Sequence, residues 1–487
     1  MLTTALVLIL ILPAMGALLA AALPGRPARW VATSSAAAAT ALALWCVIAV
    51  YPGVHRSSLG SLPWLGEQAG RGILGVLLDP LSSVLLLVVA VIGLLTVVYS
   101  LPYVSETNRG HSAGPRDQSR YYFWLLFFVA SMLGVATAPN FLQLFICWEL
   151  TTLCSWALIS YYRGETSLRA GFKALVMTHV GGVFFLLVLL ILFVETRSFE
   201  FDAIAGLAPP RKGLVFFFLM VAAWAKAAQV PFHTWLPDAM EAPTPVSAYL
   251  HAAAMVKAGV YLMARSVSSG WAMPQGLAIL LGAMAVVTMY LALSYYFRQD
   301  DLKRLLAYST IAHLGYVLLG VALGAVGSTT GFRGGVLHIV CHGFGKATLF
   351  LCAGAIVYVT GSRSISALGG LARSMPLTAT AFFVGILAVT GVPPFACFWS
   401  KFMLLAGALE LPGPIGPGLL ALLLGETLIA FGWLLYIAQK VFLGAPSPAA
   451  RVPSDPPLAM RATLVVLILG CVVAPAIGIP LVEPLGR

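Results

Sequence analysis

Residues 222–235 read AAWAKAAQVPFHTW. An alanine-rich apolar helix here carries Lys226 and, five residues later, Pro231, which removes a backbone donor and interrupts the helix. Both features are costly at membrane depth. A charged side chain at the centre of a spanning helix costs about 2.5–3.5 kcal/mol on insertion scales. Freed backbone groups are tolerated there only against protein or a wet cavity. A second stretch, GVPPFACFWSK at 391–401, places Pro393 and Pro394 shortly before Lys401 and repeats the V-P…F…W pattern. Broken apolar segments in corresponding places of two halves point to a transporter built from inverted repeats, with its ion sites at the breaks.

The surrounding composition agrees. Of 487 residues, 60% are hydrophobic and 9% charged, with mean hydropathy +0.96; a soluble domain carries about 25% charged residues. The chain therefore reads as an all-α polytopic membrane protein. Its net charge of +11 comes from dispersed lysines and arginines without runs or interleaved aromatics, which argues against nucleic acid. The seven cysteines form no C-x-x-C pair and read as small buried hydrophobes, not disulfides or cluster ligands. The first 25 residues lack the basic start of a signal peptide and read as a first spanning helix.

Apolar runs of 17–25 residues give about fourteen spans. They begin near residues 3, 30, 78, 121, 140, 170, 213, 245, 275, 304, 332, 376, 414 and 460. The longest connections, near 52–77 and 102–120, read as surface loops. Odd-numbered connections hold roughly twice the Lys and Arg of the even ones; Arg109, Arg116, Arg120, Arg163, Arg169, Arg298, Lys303 and Arg304 belong to the richer set. That set is expected on the cytoplasmic side of a plasma (inner) membrane, with both termini outside.

The spans contain ionisable residues that each need a reason. They are Glu149 in FICWELTTLCSW, Lys226, Lys257 in HAAAMVKAGVYL, Lys346 in HIVCHGFGKATLF, Lys401, and Glu426 in LLLGETLIAF. His179, His251, His313, His338 and His342 join them. His338, His342 and Lys346 recur at four-residue spacing along one helical stripe, suiting a relay in which imidazoles exchange protons beside a desolvated lysine. Two structural readings compete: Lys401 could snorkel to the interface along its own stem, and Glu149 with Lys226 could merely glue helices as an ion pair. A metal or haem at His338 and His342 is not expected, because the next residue on that face is a competing cation.

The segments 225–265, 300–320 (DDLKRLLAYSTIAHLGYVLLG) and 338–354 (HIVCHGFGKATLFLCAG) resemble the antiporter-like subunits shared by respiratory complex I, Mrp-type Na⁺/H⁺ antiporters and membrane-bound hydrogenases. The likeness runs from about residue 75 to about 405. It implies fourteen transmembrane helices, with two inverted five-helix repeats at 116–270 (spans four to eight) and 271–445 (spans nine to thirteen), flanked by 1–115 and 446–487. It also implies a Glu149–Lys226 pair and a polar axis continuing through Lys257, Lys346, His342 and His338 to an exit at Lys401. His251 and Lys257 would bridge the halves, and Glu426 in the thirteenth span would face the same axis. His179 stands where complex I relatives often carry arginine.

EAPTPVSAYLHAAAMVKAG at 241–259 looks closer to the Mrp A subunit, but the longer C-terminal extensions of that subunit and of the distal complex I subunit are not expected after GIPLVEPLGR at 478–487. The resemblance implies a non-redox, proton-translocating subunit of a proton-pumping oxidoreductase, working among other membrane subunits, with a soluble redox arm as a further partner in some such assemblies. It implies no cofactor or metal in this chain. Na⁺/H⁺ exchange, a non-conducting anchor for a redox module, and a quinone-binding redox enzyme stand as alternatives. Exchange would need clustered hard oxygen ligands.

Overall fold

The computed structural model describes residues 1–66, 70, 72–106, 108, 111–448 and 455–486. Arg109, one of the loop cations used above, lies outside the described residues. The main helices are α1 (Leu2–Ala22), α2 (Arg26–Val50), α3 (Pro80–Tyr103), α4 (Pro115–Thr137), α5 (Phe141–Ile159), α6 (Glu165–Thr196) and α7 (Pro209–Lys226). They continue with α8 (Thr244–Ala252), α9 (Met255–Ser268), α10 (Gln275–Tyr296), α11 (Leu302–Ala325), α12 (Thr329–Thr360), α13 (Pro376–Thr390), α14 (Ala396–Leu409), α15 (Ile415–Ala438) and α16 (Leu458–Val482).

Among the described residues, twelve helical segments are long and apolar enough to cross a membrane, one of them α8 and α9 taken together. The remaining two crossings are assembled from shorter pieces, at α7 and at α13–α14. Local chemistry sets the starts. Asp79, Asn140, Asp301 and Ser328 each accept a backbone N–H from the first turn of α3, α5, α11 and α12.

The connection near 52–77 is more than a loop. Strands β1 (His55–Gly60) and β2 (Leu74–Leu78) pair antiparallel, Ser57 opposite Val76, with an irregularity between Ser58 and Gly60. Gln143 of α5 fastens the hairpin by exchanging hydrogen bonds with the Gly75 backbone at 3.0 and 2.9 Å.

Burial grades inward. The apolar centres of Thr244–Ser268 and Thr329–Thr360 are wholly enclosed and that of Leu302–Ala325 almost so, whereas α1, α2, α6, α10 and α16 leave much of their apolar surface outside. The enclosed helices can approach closely because they meet on glycine. A Cβ on Gly320 of α11 would come within 2.8 Å of the Gly335 backbone of α12, the small-residue contact through which membrane helices pack.

Both proline breaks form where expected. After Lys226 the chain leaves the helix through Ala227–Pro231 and resumes as short turns over 232–241. After Thr390 it turns at Gly391 (φ +87°) and restarts at Ala396. A third interruption was not anticipated. Between α8 and α9, at Ala253 and Ala254, both backbone N–H groups fall back on the Tyr249 carbonyl. No breaker marks this site; Gly343 of α12 sits against the Ala252 carbonyl there.

Candidate functional site

Lys226 closes α7 and is fully buried. Its ammonium donates to the Trp148 carbonyl at 2.9 Å and to Thr152 Oγ1 at 2.6 Å, and lies 4.9 Å from the centre of the Trp148 ring. All three contacts belong to α5. The break beyond is satisfied by fully buried Gln229, whose Nε2 donates to the carbonyls of Ala227 and Ile311.

Glu149 does not form the expected direct pair with Lys226. Its Oε2 meets His179 Nδ1 of α6 at 2.9 Å, and Oε1 is buried with no hydrogen-bond partner. The reason is steric and angular. Trp148 and Thr152 turn one side of α5 toward Lys226, while Glu149 points at α6, into room left by Gly182, where a Cβ would stand 3.0 Å from the carboxyl carbon. The histidine in this pair is 62% exposed on the outer face of the bundle.

The middle of the axis lies where α9 and α8 press on α12. The Lys257 ammonium donates to the Ile339 carbonyl of α12. His251, fully buried, stacks on Phe350 with ring centres 4.6 Å apart, and neither ring nitrogen has a partner. Lys346 donates to Ser309 Oγ of α11 and reaches the Leu306 carbonyl at 3.4 Å. His251 and Lys257 thus sit on opposite sides of the α8–α9 interruption, which explains why they share no simple helical face.

The second lysine cluster is denser. His338 Nε2 faces His313 Nδ1 at 2.9 Å, and its Nδ1 faces Ser400 Oγ at 2.8 Å. His342 lies nearby, tilted against His313 with ring centres 5.0 Å apart. Lys401 turns inward rather than snorkelling: it is 5% exposed, lies 4.6 Å from the Tyr316 ring centre, and donates to Thr427 Oγ1 at 3.1 Å. Glu426, fully buried, accepts from the Tyr316 hydroxyl at 2.5 Å.

Among the described residues, the donor atoms of His313, His338 and Cys397 lie within 4.8 Å of one another, so this trio, rather than His338 with His342, is the group whose spacing could hold a metal. In this structure the two imidazoles share a hydrogen bond, one ring nitrogen donating and the other accepting. The donor set fits a hydrogen-bonded relay better.

Sequence reading missed several polar partners. Tyr316, Thr427, Ser309, Ser400 and Thr152 are ordinary residues in apolar helices until the fold turns them inward. One signal was present: Lys303, Leu306, Ser309, His313 and Tyr316 follow three- and four-residue steps along α11. Lys303, read as a loop cation, is in fact 3% exposed and donates to the carbonyls of Met240 and Ala242 at 2.6 and 2.7 Å.

Residues 138–428 match the family described as NADH:quinone oxidoreductase/Mrp antiporter, transmembrane. Residues 72–112 match the N-terminus of chain 5 of complex I. The chain is 38% identical over 347 residues to the chloroplastic NAD(P)H-quinone oxidoreductase subunit 5 of Ceratophyllum demersum, covering 67% of this chain and 45% of the relative. To that of Chaetosphaeridium globosum it is 37% identical over 366 residues, covering 71% and 52%. The chain thus spans about half the length of the curated relatives it matches. Among solved structures it superposes on a chain of the Mrp complex from Dietzia sp. (TM-score 0.85, 30% identity, 100% of this chain and 52% of that one). It also superposes on a chain of the membrane-bound sulfane sulfur reductase, an archaeal respiratory membrane complex (TM-score 0.83, 25% identity, 98% and 96%).

Proposed function

The chain belongs to the NADH:quinone oxidoreductase/Mrp antiporter transmembrane family, and on that premise we propose that it carries protons across a plasma membrane as one subunit of a larger assembly. The observation that carries this reading is the state of four of the five lysines buried among the described residues, the fifth being Lys303 in the first turn of α11. Lys226, Lys257, Lys346 and Lys401 are each 5% exposed or less. Among the described residues none of them forms an ion pair. Lysines kept only as helix glue would be expected to hold carboxylates, because an unpaired buried charge is strongly destabilising. These hold carbonyl and hydroxyl oxygens instead, partners compatible with both the charged and the neutral amine. Such groups can load and release a proton.

Lys226 is the proton site of the first half, with Glu149 and His179 as the adjustable charge beside it. Lys257, His251, Lys346, His342 and His338 carry the proton through the centre, and Lys401 and Glu426 lie at the far end. Residues 116–270 and 271–445 act as two inverted copies. In support, a hydrogen-bonded dyad joins the second and third helices of each copy: Glu149–His179 between α5 and α6, and His313–His338 between α11 and α12. A buried lysine also flanks the broken segment that follows in each.

The exposed His179 marks the side on which a neighbouring membrane subunit sits. An exposed imidazole is expensive against lipid, and α6 carries His179 amid exposed Phe172, Val176, Val183 and Leu186. The Lys- and Arg-rich connections face the cytoplasm, with both termini outside.

Lys226→Ala and Glu149→Ala, each introduced into the native assembly, are expected to abolish proton translocation while the subunit content of the complex is retained. Unchanged translocation in both variants would falsify the assignment. A flux that required Na⁺ would favour exchange instead.

A further inference from the structure

We propose that Thr427 and Tyr316 form a side-chain proton wire from Lys401 to Glu426. This inference rests on the proton-carrying reading above. The Lys401 ammonium donates to Thr427 Oγ1 at 3.1 Å, Thr427 Oγ1 and the Tyr316 hydroxyl stand 2.8 Å apart, and the Tyr316 hydroxyl donates to Glu426 Oε2 at 2.5 Å. Every link is a direct hydrogen bond, so no intervening water is required. Lys401, Tyr316 and Glu426 are 5%, 1% and 0% exposed.

Three features distinguish this from a structural tie. First, the lysine and the glutamate form no ion pair with each other; two hydroxyls, each able to donate and accept, stand between them. Second, the Tyr316 ring holds the ammonium over its face at 4.6 Å, positioning the donor at the start of the chain. Third, Glu426 Oε1 is buried with no partner. The carboxylate is therefore incompletely satisfied, as suits a group that changes protonation.

The transfer balances. An N–H bond of Lys401 breaks as an O–H bond forms at Thr427. Thr427 passes its own hydrogen to Tyr316, and Tyr316 passes its hydrogen to Glu426 Oε2. One proton moves from Nζ to the carboxylate, leaving a neutral amine and a neutral acid, with both hydroxyls intact and reversed in direction. They must rotate back before the next proton passes. Upstream, Ser400, which neighbours Lys401 in the chain, is bonded to His338, and the His338 ring lies 5.5 Å from that of Tyr316, so the histidine cluster adjoins the wire's donor end.

The test compares Thr427→Val, which keeps the shape but loses the hydroxyl, with Tyr316→Phe and Thr427→Ser. Each is placed in the native assembly in membrane vesicles, with flux read by a pH-sensitive dye and normalised to subunit content. Thr427→Val and Tyr316→Phe are expected to slow proton flux at least roughly tenfold, and Thr427→Ser to restore it. An infrared band of a protonated carboxyl group, assigned by its loss in Glu426→Gln, should appear during turnover in the wild type and be absent in Thr427→Val. If Lys226→Ala is inactive while Thr427→Val and Tyr316→Phe both run at the wild-type rate, the wire is wrong and the broader reading stands. If Lys226→Ala and Glu149→Ala are both fully active, the broader reading falls and the wire with it. Should Tyr316→Phe fail to assemble, Thr427→Val and the carboxyl band decide the question.

Discussion

A lysine in an apolar helix has two chemically different uses: as a fixed cation, or as a base that gives up its proton. The contacts of Lys401 favour the second, because its neighbours are a hydroxyl, a carbonyl and an aromatic face. Arginine separates the two, since its guanidinium stays charged at any accessible pH. Lys401→Arg is therefore expected to retain assembly but lose proton translocation about as completely as Lys401→Ala. Wild-type flux in the arginine variant, measured per assembled subunit, would show that only the charge matters. The same scale explains why Glu149 answers to His179. A single missing Cβ at Gly182 makes the space, and one step of helical rotation separates Glu149 from the residues that hold Lys226.

At the scale of elements, the breaks need rigid surroundings if lysines beside them are to stay aligned. One such support joins α3 to α9. Arg265, 5% exposed, pairs with Asp79 through both guanidinium nitrogens, and also donates to Ser82 Oγ and the Tyr261 hydroxyl. Burial alone would raise the Asp79 carboxyl, but the Arg265 guanidinium and the Ser82 amide and hydroxyl outweigh it and hold the group at about 2. A carboxyl depressed in the folded state contributes stability that is present above its ordinary value near 3.8 and lost as the pH falls through about 2. Asp79→Asn should therefore cost about 3 kcal/mol by stranding a buried guanidinium. Thermal unfolding in detergent should show a constant gap from the wild type between neutral pH and about 4, narrowing between there and about 2. A gap that already closes at pH 5–6 would mean that Asp79 is not held by this clasp.

Over the whole molecule, polar chemistry and burial run together. The most enclosed helices, α8, α9, α11 and α12, carry Lys257, His251, Lys346 and three further histidines, while α1, α2 and α16 bury no lysine, histidine or carboxylate among the described residues. That arrangement needs a fixed orientation in the membrane. All seven cysteines are free, and six are buried with Cys147 half-buried, so introduced cysteines can report sidedness. Arg298→Cys, in an exposed connection, should react with an impermeant maleimide from the cytoplasmic side, and Trp271→Cys, in the connection on the other side, from outside. Reversed labelling would overturn the orientation inferred from charge while leaving the fold untouched.

The fold class, the spans and both proline breaks were legible in the sequence, because twenty-residue hydropathy and the loss of a backbone donor are local properties that survive any packing. So were the ionisable residues Glu149, Lys226, Lys257, Lys346, Lys401 and Glu426, since such residues inside apolar runs announce themselves. Only the tertiary structure decided which groups meet. It broke the eighth span at two alanines with no local signal, gave Glu149 to His179, joined His313 to His338, and set Thr427 and Tyr316 between Lys401 and Glu426. Each of these outcomes depends on the rotation and approach of helices distant in the chain. Those are fixed by glycine contacts and shape across the bundle, quantities that no window of sequence contains.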